Sequence, residues 1–109
     1  MKRFALALDL KDDPDLISQY IAHHQKVWPE IIESITSSGI ENMQIFNIGN
    51  RLFMLIDAKD EFSFERKAEM DVSNEKVAEW ESLMDTYQQR LPFVSNDAKW
   101  VLMEKIFEL

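Results

Sequence analysis

Residues 42–58, NMQIFNIGNRLFMLIDA, restrict the possible folds more than any other segment of the chain. Two apolar runs flank Gly49 and Asn50, a pair that favours the tight turn of a β-hairpin. In the second run, residues 52–56 are apolar at every position, so both faces of that strand avoid water. The sequence therefore predicts a hairpin within a sheet that is covered on both sides.

The N-terminal part of the chain predicts a strand followed by a helix. Residues 4–10 alternate large apolar side chains with small or polar ones, which is the period of a β-strand. The small residues, Ala5 and Ala7, leave room for a cavity on one side of the sheet. Asp13 followed by Pro14 is a helix start signal, because Asp caps free N–H groups and Pro suits the first helical position.

Proline and glycine indicate where the following elements end. Pro29 interrupts the first helical pattern, which restarts there and runs to Gly39. Residues 60–91 have the composition and spacing of two consecutive helices. The segment WVLMEKIFEL, residues 100–109, predicts a final strand.

The order of these elements is β-α-β-β-α-β, which predicts one domain over residues 1–109. This order is typical of the α+β, ferredoxin-like fold, a four-stranded antiparallel sheet with helices on one face. The helices of a single chain cover only one face of such a sheet, whereas these strands are apolar on both faces. We therefore expect two copies to pack sheet against sheet as a homodimer.

The composition excludes several classes of function. A net charge of -8 repels phosphate backbones and anionic lipid, and no window reaches the ~20 apolar residues of a membrane span, so we expect neither nucleic acid nor membrane as a partner. The absence of cysteine excludes thiolate chemistry and fits a reducing compartment, so we expect a cytoplasmic protein. Neither a nucleotide-binding glycine motif nor a clustered ligand set occurs, which predicts chemistry without cofactor or metal.

The chain has only two histidines, and they are neighbours in the segment YIAHHQKVWPEI. Tyr20 and His24, four residues apart, share one helix face, whereas His23 is turned toward the polar side. This pattern leaves two interpretations open. His24 is either a boundary residue bonded to a carbonyl, with His23 on the surface, or a general acid/base, because imidazole exchanges protons near neutral pH.

The same segment resembles the Tyr-x-x-x-His-x-x-x-Trp-Pro-Glu pattern of the L-rhamnose mutarotase family, which are small sugar anomerases without a cofactor. The resemblance covers nearly the whole chain, including NMQIF, a Trp in the last helix and the ending EKIFEL. It implies a dimeric α/β barrel with a cavity for a monosaccharide. It also implies that His24 is the catalytic proton donor and that Tyr20 contacts the sugar.

Two positions depart from the family pattern. Met43 stands where the rhamnose enzymes tend to have Tyr, and Glu81 follows Trp80 where they have a second Trp. By the resemblance, Met43 and Trp80 line the pocket, and Glu81 accepts a sugar hydroxyl or acts as a base. The pattern alone also allows Trp80 to be a core residue and Glu81 to face solvent. The departures alter which hydroxyl pattern fits, so L-rhamnose is the default and another deoxysugar, such as L-fucose, is the alternative.

Two functions from other classes share this fold and stay open. A non-catalytic sugar-sensing module would bind a sugar without exchanging its anomers, and small ferredoxin-like monooxygenases also form such dimers. Against a haem monooxygenase, His23 and His24 are the only imidazoles in the chain, and His24 cannot serve both as a haem ligand and as the acid that acts on a sugar. Tyr20 and His24 together carry more chemistry than binding requires.

Overall fold

Five strands and four helices occupy the described part of the chain, residues 1–94 and 99–109 of the computed structural model. In chain order they are β1 (Lys2–Leu10), α1 (Pro14–His24), α2 (Pro29–Ser37), β2 (Ile40–Ile48), β3 (Arg51–Ala58), α3 (Phe64–Val72), α4 (Glu75–Asp85), β4 (Gln88–Gln89) and β5 (Val101–Leu102).

β1 is the central strand of the sheet. The strand order is β2-β3-β1-β4, with β5 also paired to β1, and each of these pairings is antiparallel. β4 pairs beside Leu10 and β5 beside Leu6, so two short strands together take the place of the fourth strand. The predicted ferredoxin-like α+β fold and its hairpin are confirmed.

The helix boundaries follow the proline and glycine signals. The Asp13 side chain accepts hydrogen bonds from two backbone N–H groups of the first turn of α1, which begins at Pro14. α2 begins at Pro29, where the sequence predicts a restart. The chain leaves α2 through Gly39, whose φ of 104° lies in the region that favours glycine. These local signals fix where α1 and α2 begin and where α2 ends.

The helices pack on the face of the sheet that carries the large residues of β1, here called the closed face. Leu8 and Leu10 are fully buried there, and Leu52 of β3 is 1% exposed. Side chains from three helices complete this core: Tyr20, Ile31, Val77, Trp80 and Met84.

The opposite face, here called the open face, points away from this core. Strand register places Ala7, Phe53 and Phe46 side by side on it. The rings of Phe46 and Phe53 lie 5.9 Å apart, and Phe46 is 52% exposed. The strands that are apolar on both sides thus leave one hydrophobic face uncovered within a single chain.

The last helix is shorter than the sequence predicts. The helical pattern extends to Leu91, but α4 ends at Asp85 and the chain enters β4 at Gln88. Gln88 pairs with Leu10 of β1, a residue distant in sequence. This tertiary pairing overrides the local helical preference.

The last strand is also shorter than predicted, since residues 100–109 form a strand only at β5. The Met103 N–H still donates to the carbonyl oxygen of Ala5 at 2.8 Å, but residues 104–109 form no strand. Ile106 and Phe107 are 91% and 76% exposed. Strand formation depends on packing of the side chains against neighbours. The apolar pattern of residues 104–109 therefore does not form a strand where these side chains remain exposed.

Candidate active site

A cavity of about 870 Å³ lies between the helices and the closed face. Small-molecule sites are typically roughly 300–1,000 Å³ in volume, so this cavity is large enough for a small ligand. Leu6, Met54 and Ile56 of the sheet line it. Ala5 and Ala7 do not line it, because strand alternation turns both toward the open face. The cavity is therefore formed by the gap between the helices and the sheet.

Tyr20 and His24 meet in the cavity as neighbours on one face of α1. Their ring centroids are 4.4 Å apart, and both side chains line the cavity. Nδ1 of His24 donates to the Tyr20 carbonyl oxygen at 2.9 Å, which leaves Nε2 of a neutral ring with its lone pair. Burial lowers the pKa of His24 below its ordinary value, and the positive charge of a protonated His23 would add to this effect, although the Tyr20 carbonyl opposes it. His24 is therefore a neutral proton acceptor at neutral pH.

The Tyr20 hydroxyl stays protonated. Its side chain is 3% exposed, and this burial raises its pKa to about 12, although the nearby Gln88 side chain acts in the opposite direction. A phenol with this pKa donates a hydrogen bond throughout the physiological range. The cavity thus holds one proton acceptor and one proton donor side by side.

Trp80 forms an aromatic wall beside His24. Its ring lies edge-on to His24 at 5.6 Å and edge-on to Trp28 at 5.1 Å. Trp80 lines the cavity and is also part of the buried core. Trp28 does not line the cavity and fills the angle before α2.

Met43 and Glu81 also line the cavity, at different depths. Met43 lies on β2 and packs against the core around Ile56. Glu81 is at the rim, where its carboxylate is 2.9 Å from Nζ of Lys99. Nζ of Lys99 also lies 2.8 Å from the carboxylate of Asp85. Burial of Lys99 acts to lower the pKa of its amine, but the hydrogen bonds to Asp85 and Glu81 outweigh burial and raise this pKa. Glu81 is thus an exposed carboxylate that is held in an ion pair.

His23 lies outside the cavity lining but is not a plain surface residue. It is half-buried, and its Nε2 is 3.1 Å from the Tyr87 hydroxyl. Tyr87 donates onward to the Gln19 side chain at 3.3 Å, so the Tyr87 oxygen accepts from His23. The surface position expected for His23 is corrected by this hydrogen-bond chain, which no local pattern indicates.

The cavity lining also includes residues that the sequence does not identify, among them Gln25, Asn42, Gln88 and Trp100. Helical spacing could have indicated Gln25, which lies one turn beyond Ile21, another lining residue. No sequence signal indicates Gln88, because it lies in a segment with a helical pattern, whereas the structure places it in the strand β4.

Two searches of the described residues gave negative results. No group of three or more His, Cys, Asp or Glu side chains is arranged to hold a metal ion in residues 1–94 and 99–109. Within the same ranges, every helix is too short or too polar to cross a membrane.

The fold and site define a small α+β protein with imidazole, phenol and indole groups around a cavity for a small molecule. Residues 3–109 match the L-rhamnose mutarotase family, and the chain belongs to that family. It is a sugar mutarotase, an isomerase that acts on sugar anomers. This result favours catalysis over the sugar-sensing and monooxygenase alternatives.

Three known proteins illustrate the similarity. The chain is 37% identical over 111 residues to L-fucose mutarotase from Xanthomonas campestris pv. campestris, covering 100% of this chain and 89% of the relative. It is 32% identical over 89 residues to L-rhamnose mutarotase from Shouchella clausii, covering 80% and 85% respectively. The crystal structure of L-rhamnose mutarotase FA22100 from Formosa agariphila has a TM-score of 0.73 at 22% identity, covering 100% of this chain and 99% of that one. This last similarity concerns the fold.

Proposed function

We propose that His24 is the catalytic acid/base of this mutarotase and that Tyr20 is its partner. The observation that carries this proposal is the hydrogen bond from Nδ1 of His24 to the Tyr20 carbonyl oxygen. It determines the tautomer, so that Nε2 is available to a ligand in the cavity. Burial of both rings keeps His24 neutral and Tyr20 protonated before the sugar binds.

Anomer exchange then proceeds through ring opening with balanced proton transfer. Nε2 of His24 takes the proton from O1 while the C1–O5 bond breaks and the C1=O1 double bond forms. The Tyr20 hydroxyl gives its proton to O5. After rotation about C1–C2, O5 attacks the other face of the aldehyde, its proton returns to Tyr20, and His24 donates the held proton to O1. The enzyme is unchanged at the end.

Three other residues contact the sugar in this proposal. Trp80 packs against an apolar C–H face of the pyranose, since an indole offers a broad apolar surface next to His24. Met43 contacts the sugar from β2, without a hydroxyl to offer. Glu81 accepts a sugar hydroxyl at the rim, where Lys99 holds its carboxylate in an ion pair.

We infer that the preferred sugar is L-fucose, with L-rhamnose as a slower substrate. Met43 and Glu81 differ from the residues typical of the rhamnose enzymes, and both line the cavity. The 37% identity to an L-fucose mutarotase, against 32% to an L-rhamnose mutarotase over a shorter alignment, supports the same preference. A changed hydroxyl pattern in the sugar calls for changed contacts in the pocket.

We propose a homodimer, working in the cytoplasm, in which the open faces of two copies form a dimeric α/β barrel. Phe46 and Phe53 on that face, together with Leu55 and Ile48, present apolar surface to solvent in one chain. A large exposed apolar area of this kind typically serves as an interface. The absence of cysteine fits a reducing compartment.

Saturation-transfer NMR on a panel of aldoses tests the activity and the sugar together. The panel contains L-fucose, L-rhamnose, their enantiomers and D-glucose, each with and without the protein. We expect faster exchange between the anomeric signals for L-fucose, then L-rhamnose, and little change for D-glucose. Binding without faster exchange would instead indicate a sensing module, and a coloured haem-containing preparation would indicate a monooxygenase.

A further inference from the structure

Gln88 is directed into the cavity by strand pairing rather than by a helix. In β4, Gln88 pairs with Leu10 of β1, and Gln89 pairs with Asp9. Leu10 is fully buried on the closed face, so its partner Gln88 also faces the helices. Gln89 points to the other side and is exposed. Two adjacent glutamines of the same size therefore lie in opposite environments.

The side chain of Gln88 is buried with an unused hydrogen-bond acceptor. Gln88 is 6% exposed, and its Oε1 has no hydrogen-bond partner among the described residues. Buried polar side-chain atoms almost always have a partner, so such an atom needs an explanation. Gln88 lines the same cavity as Tyr20, and its side chain is near enough to the Tyr20 hydroxyl to act on the pKa of that group. The unpaired oxygen is thus at the site where the sugar is expected.

We propose that Oε1 of Gln88 accepts a hydrogen bond from one hydroxyl of the bound sugar and thereby determines which sugars are used. This inference rests on the proposed function, because it assigns a further contact within the same pocket. When the amide N–H of Gln88 donates to the Tyr20 oxygen, the Tyr20 proton is directed away from Gln88 and toward the ligand. Tyr20 and Gln88 then form an adjacent donor and acceptor, which matches two neighbouring oxygens of a pyranose.

A cycle of protein and sugar variants tests this contact. Anomer exchange is measured as kcat/KM for the best aldose of the panel and for each of its monodeoxy analogues. Removal of the contacted hydroxyl should reduce wild-type kcat/KM about 10- to 100-fold, because a buried acceptor is left unpaired. Gln88→Met, which keeps the size and removes the amide, should cause a similar loss on the complete sugar. The kcat/KM of Gln88→Met should then be the same for the complete sugar and for the sugar that lacks this hydroxyl.

Two controls separate this contact from a structural effect. Gln89→Met, the matched substitution on the opposite side of the sheet, should keep wild-type kcat/KM and the wild-type response to every analogue. In the deoxyfluoro analogue, fluorine replaces the contacted hydroxyl and can accept a hydrogen bond but cannot donate one. The wild-type kcat/KM for this analogue should therefore be as low as that for the deoxy sugar. The thermal midpoint of Gln88→Met should equal or exceed that of wild type, because the substitution removes an unpaired buried polar atom.

Several results would overturn the inference. If the loss of kcat/KM on removing each hydroxyl is the same in the wild type and in Gln88→Met, no hydroxyl contacts Gln88. Oε1 is then paired with buried water, the inference is refuted, and the proposed function is unaffected. If fluorine restores the rate, the amide faces the sugar as a donor and the acceptor assignment is wrong. If the wild type binds aldoses without exchanging their anomers, the affinities of both protein variants for the complete and the deoxy sugars are measured by titration calorimetry. A loss of affinity that depends on both Gln88 and one hydroxyl would support the inference and refute the catalytic proposal. Absence of both binding and exchange would refute the two together.

Discussion

The closed and open faces of the sheet come from the same strands, yet they have opposite surroundings. On the closed face, Leu8 is fully buried and the cavity lies under the helices. On the open face, Phe46 and Phe53 contact each other while Phe46 remains half exposed to solvent. Alternation along a strand creates both faces, but only the helices decide which of the two becomes the site.

This difference separates two tasks of one sheet. The closed face supplies the rigid wall of a small-molecule cavity, because its core packing holds β1 and β3 in place. The open face leaves Phe46 and Ile48 exposed in a single chain and is suited to a second copy. Changes on one face should therefore affect chemistry and stability, and changes on the other should affect assembly.

The largest expected effect is the loss of catalysis in His24→Ala, on the closed side. A positioned acid/base contributes ~10² to 10⁴ in rate, so kcat for anomer exchange should fall within that range. NMR exchange rates, corrected for the uncatalysed reaction, measure it. His23→Ala is the matched control and should keep most of the activity, although it loses the hydrogen bond to Tyr87 and some stability. A normal rate in a folded His24→Ala protein would rule out the assignment.

A stability effect should follow from truncating the closed face. Leu8→Ala should lower the free energy of unfolding by about 2–5 kcal/mol, because it leaves a cavity in a fully buried region. Urea denaturation followed by circular dichroism measures this change. Leu102→Ala removes the same atoms from a residue that is 54% exposed and should cost much less. Equal losses at the two positions would contradict the difference in burial between Leu8 and Leu102.

An assembly effect should follow from charging the open face. Phe46→Glu combined with Phe53→Glu should convert the proposed dimer into a monomer, because four like charges would oppose each other across a symmetric interface. Light scattering at micromolar concentration gives the mass. Val72→Glu, at an exposed apolar residue that ends α3, should leave the mass unchanged. A wild-type protein that is already monomeric would remove the basis of this prediction.

A smaller effect is expected on the choice of sugar. Met43→Tyr with Glu81→Trp should raise the ratio of kcat/KM for L-rhamnose over L-fucose by about 10-fold, since it restores the aromatics of the rhamnose enzymes. Glu81→Gln keeps the side-chain length and removes the ion pair with Lys99, so it controls for loss of charge. An unchanged ratio of kcat/KM would mean that Met43 and Glu81 do not determine which sugar is preferred.

The smallest effect concerns pH. Burial lowers the pKa of His24 below its ordinary value of 6.5, so the neutral base should predominate at pH 6.5. The plot of kcat/KM against pH should therefore fall toward acid with its midpoint below 6.5. The unfolded chain binds this proton first, so the stability linked to His24 is complete above pH 6.5 and is lost as pH falls through the folded pKa. A midpoint above 6.5 in the rate profile would contradict the burial of His24.

Much of the fold could be predicted because its signals are local. Asp13 with Pro14, the restart at Pro29 and the turn at Gly49 each act within a few residues, and the structure confirms all three. The shared helix face of Tyr20 and His24 also follows from a spacing of four residues. Such features require only the local geometry of the backbone and one helical turn.

The tertiary structure alone decided the rest of the site. Gln88 belongs to a helical pattern, but pairing with Leu10 across the sheet turns it into the cavity. Lys99 engages Glu81, and Tyr87 engages His23, through contacts between parts of the chain that are far apart in sequence. A local pattern predicts a face and a period, whereas the partner on that face depends on which segments the whole fold brings together. The free energy of these long-range contacts exceeds the weak local preference, and for that reason they determined the final geometry.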